Sequence, residues 1–227
     1  MTAEAGPNSL SSNLVLCLDA GNSRSYSGSG TTWTDLVTGT NNGTTVNSPA
    51  YTSSGAGSYF TFLSGSSQYV SISGSYTLTA ATFIVWLYRS GSQINFTGIF
   101  YNRGTGNTSG LNFLGTTNNL GYTWNDAANT YDWNSGLTLP NTAWAMGALS
   151  VTSGSATAYL FQASGVSSAT NTVGHASTTM GSLNIGRDSL LGRNFNGRIG
   201  AAMLYNTNLT QAQLTQNFNA LKGRYGL

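Results

Sequence analysis

The sequence predicts an all-β fold: an antiparallel β-sandwich of the jelly-roll type with one short C-terminal helix. Three observations predict it. Short apolar or alternating runs recur along all 227 residues, separated by evenly scattered Ser/Thr/Gly turn clusters. Aromatic residues make up 11% of the chain and are spread along it, which separates it from a flexible Ser/Gly-rich polypeptide. A single segment, near the C-terminus, carries a clear helical period.

The strand-like runs follow in order. Leu14, Leu16 and Leu18 alternate with Val15, Cys17 and Asp19, and Cys17 reads as a buried, inert thiol. Tyr59–Leu63 comes next, then Tyr69–Ser73 with Val70 and Ile72 inward. Phe83–Tyr88 is apolar on both faces, which predicts a central strand covered on both sides. Later runs are Leu111–Leu114, Leu120–Trp124, Trp144–Val151, Thr157–Phe161, Leu183–Ile185 and Arg198–Tyr205. Asn42-Gly43 and Asn196-Gly197 read as turns, because these residues tolerate positive φ. Asp35 is placed to accept bonds from loop N–H groups, with Trp33 and Leu36 as anchors.

The helix is predicted over Thr210–Gly223. Leu214, Phe218 and Leu221 share one face, Thr210 and Gln213 form a capping box, and Gly223 suits a left-handed C-terminal position. The amphipathic pattern predicts that it seals one edge of the sandwich.

Composition then excludes function classes. Ser, Thr, Asn and Gly together make up about half the chain, and charged residues only 6%. Eight Lys and Arg form no basic stripe, so nucleic acid is not expected as a partner. One Cys and one His leave no Cys-based zinc cluster, and any His-dependent triad must use His175, which reads as a surface-loop residue. No apolar run is long enough to span a membrane, and the N-terminus lacks the basic and apolar regions of a secretory signal. Residues 1–13 read as an N-terminal arm and 14–227 as the domain.

The segments resemble, in order, the laminin-G-like, concanavalin A-like jelly roll found in phage virion proteins and bacterial surface proteins. The pieces include LVLCLDAGNSRSYSGSGTTWTDLVTGTNNGT, YFTFLSGSSQYVSI, TFIVWLY, LNIGRD and NFNGRIGAAMLYNTNLTQAQLTQNFNALKGRYGL. The opening and closing runs resemble phage-type members in particular. The resemblance implies a virion structural protein, a decoration, cement or fibre-associated component made in the host cytoplasm without a signal. Its implied partners are other capsid or tail proteins, further copies of itself and, for adhesion, a host glycan. The alternative is a carbohydrate-binding adhesin module of a bacterial surface or secreted protein. One departure matters. Many laminin-G-like sequences place an acid after the Ile of the Gly-x-Ile strand, but Gly200 follows Ile199 here, which weakens carry-over of a family metal site.

Chemistry is sparse. The acids are Glu4, Asp19, Asp35, Asp126, Asp132 and Asp188, and none forms the paired-carboxylate motif of glycoside hydrolysis, so a non-enzyme is expected. No cofactor is called for. Asp126 with Asp132, or Asp19 with Asp35, offers a carboxylate pair for Ca²⁺, and the same residues serve equally as turn formers. The sharpest candidate is the run from Tyr122 to Asn134. Its Trp124, Asn125, Asp126, Tyr131, Asp132 and Trp133 combine aromatic faces with amides and carboxylates, as a sugar site requires. The competing reading puts Trp124 and Trp133 in the core, with the polar residues shaping the loop.

Overall fold

The computed structural model describes residues 8–54, 57–104, 107–114, 118–190 and 192–227. In chain order the strands are β1 (Leu14–Asp19), β2 (Thr32–Trp33), β3 (Gly43–Val46), β4 (Ala50–Thr52), β5 (Tyr59–Phe62), β6 (Tyr69–Ile72) and β7 (Tyr76–Leu78). They continue as β8 (Ala81–Arg89), β9 (Gly98–Asn102), β10 (Ser109–Leu114) and β11 (Asn119–Thr123). A one-turn helix, α1 (Ala128–Tyr131), precedes β12 (Trp144–Val151), β13 (Ala156–Gln162), β14 (Gly165–Asn171), β15 (Thr178–Met180) and β16 (Leu183–Ile185). Last come β17 (Arg187–Asp188), β18 (Arg193–Asn194), β19 (Gly197–Tyr205) and the helix α2 (Gln211–Leu221).

Two antiparallel sheets face one another. The eight-stranded sheet runs β14-β13-β12-β8-β19-β5-β4, with β1 also paired to β19; the seven-stranded sheet runs β11-β10-β9-β16-β6-β3-β2. Phe83, Val85 and Leu87 of β8 enter the core between the sheets, where Phe100, Leu111, Phe113 and Leu120 meet them from the other side. Phe83 and Phe100 meet edge to face at 5.4 Å, the geometry favoured by the ring quadrupoles.

The prediction for β8 holds because strand side chains alternate. Its other face, Ile84 and Trp86, enters a second apolar cluster with Leu214, Phe218, Leu221 and Tyr225. The helix therefore covers the outer face of the eight-stranded sheet, not an edge. The apolar residues of that face, Trp86, Met146, Phe161 and Met203, need burial and the helix supplies it. The Thr210–Gln213 capping box is present. Gly223 is not the left-handed stop: the chain continues as a 3-10 turn through Tyr225, and Gly226 takes φ +72°. That extra turn brings the Tyr225 ring onto Trp86 at 4.7 Å.

The Asn42-Gly43 turn is also revised. Gly43 is a strand residue in β3, placed where a Cβ would collide with the Val70 side chain. Asn42 instead accepts the Asp35 N–H at 2.9 Å. Asp35 acts as expected: Oδ1 accepts from Cys17 N and Val37 N, and Oδ2 from Thr38 N and the Thr38 hydroxyl. Cys17 is buried, and desolvation pushes its thiol up to about 12, consistent with an inert thiol.

Of the arm, residues 1–7 lie outside the described residues. The rest is held against α2 and the end of β19. Leu10 N–H donates to Asn217 Oδ1 at 2.8 Å, the Tyr205 hydroxyl donates to Leu10 O at 2.8 Å, and Gln216 donates to Asn8 O at 3.0 Å. Among the described residues, no helix is long and apolar enough to cross a membrane.

Candidate functional site

The outer face of the seven-stranded sheet carries a concavity lined by both aromatic and charged side chains. The inward alternation of β9, β10 and β11 sends Phe100, Leu111, Phe113, Leu120 and Tyr122 into the core. It leaves Tyr101, Asn112 and Thr123 on the outer face. There the Tyr101 hydroxyl donates to Thr123 Oγ1 at 2.8 Å, and Asn112 Nδ2 donates to the same oxygen at 3.1 Å. Burial pushes the Tyr101 phenol up to about 12, so it stays neutral.

Beyond Thr123 the chain turns back over this face. Asn125 and Asp126 take φ of +50° and +57°, the left-handed region that Asn and Asp visit at low cost. Asn125 N–H donates to Ser109 Oγ, Asp126 N–H to Thr108 O, and Trp124 N–H to Thr130 Oγ1. The turn thus aims Asp126 outward and sets α1 so that Tyr131 meets Phe96 edge to face at 6.0 Å.

The β17–β18 hairpin forms the opposite wall. It lies so close to the sheet that a Cβ on Gly98 would overlap the Arg187 carbonyl; glycine permits the approach. Asp188, fully buried, accepts a bidentate pair of bonds from Arg103, a bond from Arg193 at 3.0 Å and one from Leu190 N–H at 3.1 Å. The bonds to Asp188 raise the pKa of Arg103. The Arg193 guanidinium also lies 4.9 Å from the Phe96 ring centre. Together these elements enclose a pocket of about 270 Å³. Phe96, Tyr101, Tyr131 and Leu190 supply apolar surface; Arg103, Arg193, Asp126 and Thr123 supply polar groups.

Of the six candidates from the sequence, Asp126 and Tyr131 line this pocket. Trp124 does not: it is 1% exposed, and its indole N–H donates to Ala176 O at 2.7 Å, so its ring offers no face to a ligand. Asn125 is half-buried and spends its amide on Ser177 O at 3.1 Å. Trp133 is half-buried and packs edge-on against Tyr122 at 5.6 Å. Asp132 is exposed at the C-terminal end of the one-turn helix and does not line the pocket, its N–H bonded to Ala128 O. Trp124 thus lies within the core, while Trp133 packs partly buried against it.

His175 needs a correction. It is buried, not on a surface loop, with Nε2 3.0 Å from the Tyr122 hydroxyl. Its own N–H bonds Ser153 O, which ties the polar segment to the turn between β12 and β13. Desolvation lowers its pKa, which favours the neutral ring.

Sequence reasoning missed Arg103, Arg193, Phe96, Tyr101 and Leu190. A local signal existed only for the hairpin: in a chain with so few charges, Arg187-Asp188 and Arg193 cluster within a short span. Arg103 lies 85 residues from Asp188 and carried none.

A family model for the concanavalin A-like lectin/glucanases superfamily matches residues 64–215. The chain belongs to this superfamily. No curated protein sequence matches it. Among solved structures, the superfamily fold is similar to Trypanosoma rangeli sialidase in complex with 2,3-difluorosialic acid, at TM-score 0.65 and 12% identity, covering 98% of this chain and 35% of that one. The chain thus spans about a third of the sialidase. It is also similar to domain 4 of AbnA, a GH43 extracellular arabinanase from Geobacillus stearothermophilus, in complex with arabinotriose. There the TM-score is 0.64 and the identity 16%, covering 92% of this chain and 98% of that one. At such identities the likeness is one of fold.

Proposed function

We propose that the protein is a non-catalytic carbohydrate-binding module whose site is the pocket between β9, β11, α1 and the β17–β18 hairpin. The observation that carries this reading is the pairing of aromatic walls, Phe96 and Tyr131, with charged groups, Arg193 and Asp126, around one solvent-open space. Sugars present C–H faces to rings and hydroxyls to such groups. Membership of the superfamily supports it, as does the solved arabinotriose complex of the similar arabinanase domain. The non-catalytic part is supported by the carboxylates: hydrolysis uses two carboxyl groups flanking the bond, and Asp188 is already committed to two guanidiniums, leaving Asp126 as the exposed acid of the pocket.

A glycan array that includes arabinotriose, followed by titration of the best binder, tests this. Binding is expected, with Tyr131→Ala and Asp126→Ala each weakening it at least about tenfold at unchanged melting temperature. No glycan bound, or variants that bind as well as the parent, overturns the site; release of reducing ends from the bound glycan overturns the non-catalytic part.

The phage-particle setting, with other virion proteins and further copies as partners, is proposed from the resemblance of the opening and closing runs. These two runs meet: Arg224 of the closing run pairs with Asp19 of the opening run at 2.6 Å. Mass spectrometry of purified particles from the source is expected to detect the protein, and its absence from them removes this setting.

A further inference from the structure

We infer that the pocket selects acidic sugars, taking a sugar carboxylate on Arg193 and Arg103 while Asp126 accepts neighbouring hydroxyls. This rests on the carbohydrate-binding reading above and specifies its ligand class. The chain has only eight Lys and Arg, yet two of them converge on the buried Asp188 beneath this pocket. One carboxylate balances one guanidinium, so the cluster keeps one positive charge. Asp188 has no exposed side-chain surface, whereas the Arg103 and Arg193 side chains are 22% and 21% exposed, so of this cluster a ligand meets the two cations and not Asp188.

Donor geometry points the same way. A guanidinium carries five N–H donors. Among the described residues, Arg103 spends two on Asp188 and Arg193 one, which leaves further N–H donors for solvent or a ligand. Both groups are held before any ligand arrives, Arg103 by its bidentate pair and Arg193 by Asp188 and the Phe96 ring, so little ordering remains to be done on binding. A carboxylate matches such a fork better than a neutral hydroxyl does. Asp126, the opposing charge, is exposed, where water and salt weaken its repulsion. Its oxygens are suited to sugar hydroxyl donors on the ring that Phe96 and Tyr131 flank.

The test compares trigalacturonate and sialyllactose with their own methyl esters, which keep the rings and remove the charge, and with arabinotriose. At least one acid is expected to bind about tenfold tighter than its ester, and to weaken as NaCl rises from about 0.05 to about 0.5 M while the ester does not. Which acid responds separates a hexuronate from a nonulosonate source. Arg193→Gln keeps the Arg103–Asp188 pair, and so the fold, and is expected to bring acid and ester within about threefold. Esters or arabinotriose binding as well as the acids overturns the acid preference and leaves the carbohydrate reading standing. If no member of the set binds, the acid inference falls; the glycan array decides the broader reading separately. If Arg193→Gln is folded and keeps the full preference, the assignment to these arginines is wrong.

Discussion

Trp86 and Phe218 lie face to face, their ring planes 4° apart and their centroids 5.4 Å apart. One is an outward residue of the central strand β8 and the other is the middle of the apolar face of α2. Phe161 also packs on Phe218, at 5.2 Å, and Tyr225 lies on Trp86. This stack joins the helix to the sheet. Phe218→Ala is expected to cost about 3 kcal/mol or more through lost burial and a cavity. In a domain of this size that lowers the melting temperature by at least about 6 °C. Glycan binding by the folded variant is expected to persist, since the pocket lies on the other sheet. Calorimetry that shows a drop below about 2 °C would mean the helix is held mainly elsewhere.

Asp188 ties the β17–β18 hairpin to β9. Asp188→Asn leaves two partly exposed guanidiniums around a buried neutral amide, and losing their charged partner is expected to cost about 1–3 kcal/mol. Urea denaturation is expected to show that loss, with ligand affinity falling as the hairpin wall moves. A variant as stable as the parent would show that the hairpin does not depend on its ion pairs.

His175 makes stability depend on pH. Burial holds its folded pKa below the ordinary value, whereas the unfolded chain protonates it near about 6.5. Below that pH the unfolded state takes up a proton that the folded state resists, so this contribution to stability is complete above about 6.5 and is lost as pH falls through the window down to the folded pKa. The groups around the ring are Tyr122 and Trp124, with Asn171 bonded to the Tyr122 hydroxyl. His175→Gln is expected to flatten the fall in melting temperature between about pH 7 and about pH 5. Parallel curves for parent and variant would assign the acid sensitivity to other groups.

Much of the fold was legible because β alternation and helical period are local signals. Val70, Ile72, Leu111, Phe113, Leu183 and Ile185 all lie inward as their patterns required. The helix cap was legible because the box spans only Thr210–Gln213. The candidate site was legible only in part. The run of residues 122–134 attracted notice for its aromatics, yet a tryptophan that fills a core and one that stacks a sugar look alike in sequence. Asp126 and Tyr131 line the pocket because the left-handed turn at Asn125–Asp126 and the one-turn helix direct them outward, and those follow from bonds to Thr108, Ser109 and Thr130.

Legible in the sequence alone were the all-β sandwich, its central strand, its helix and the low overall charge. Each is written in short-range periodicity or in composition. The tertiary structure alone decided which side of the sandwich the helix covers, where His175 lies, and that Arg103 and Arg193 meet on Asp188. Those facts depend on strand pairing between segments far apart in the chain: β9 pairs with β16, the strand just before the hairpin, and only that pairing brings the Arg103 guanidinium to a carboxylate 85 residues away.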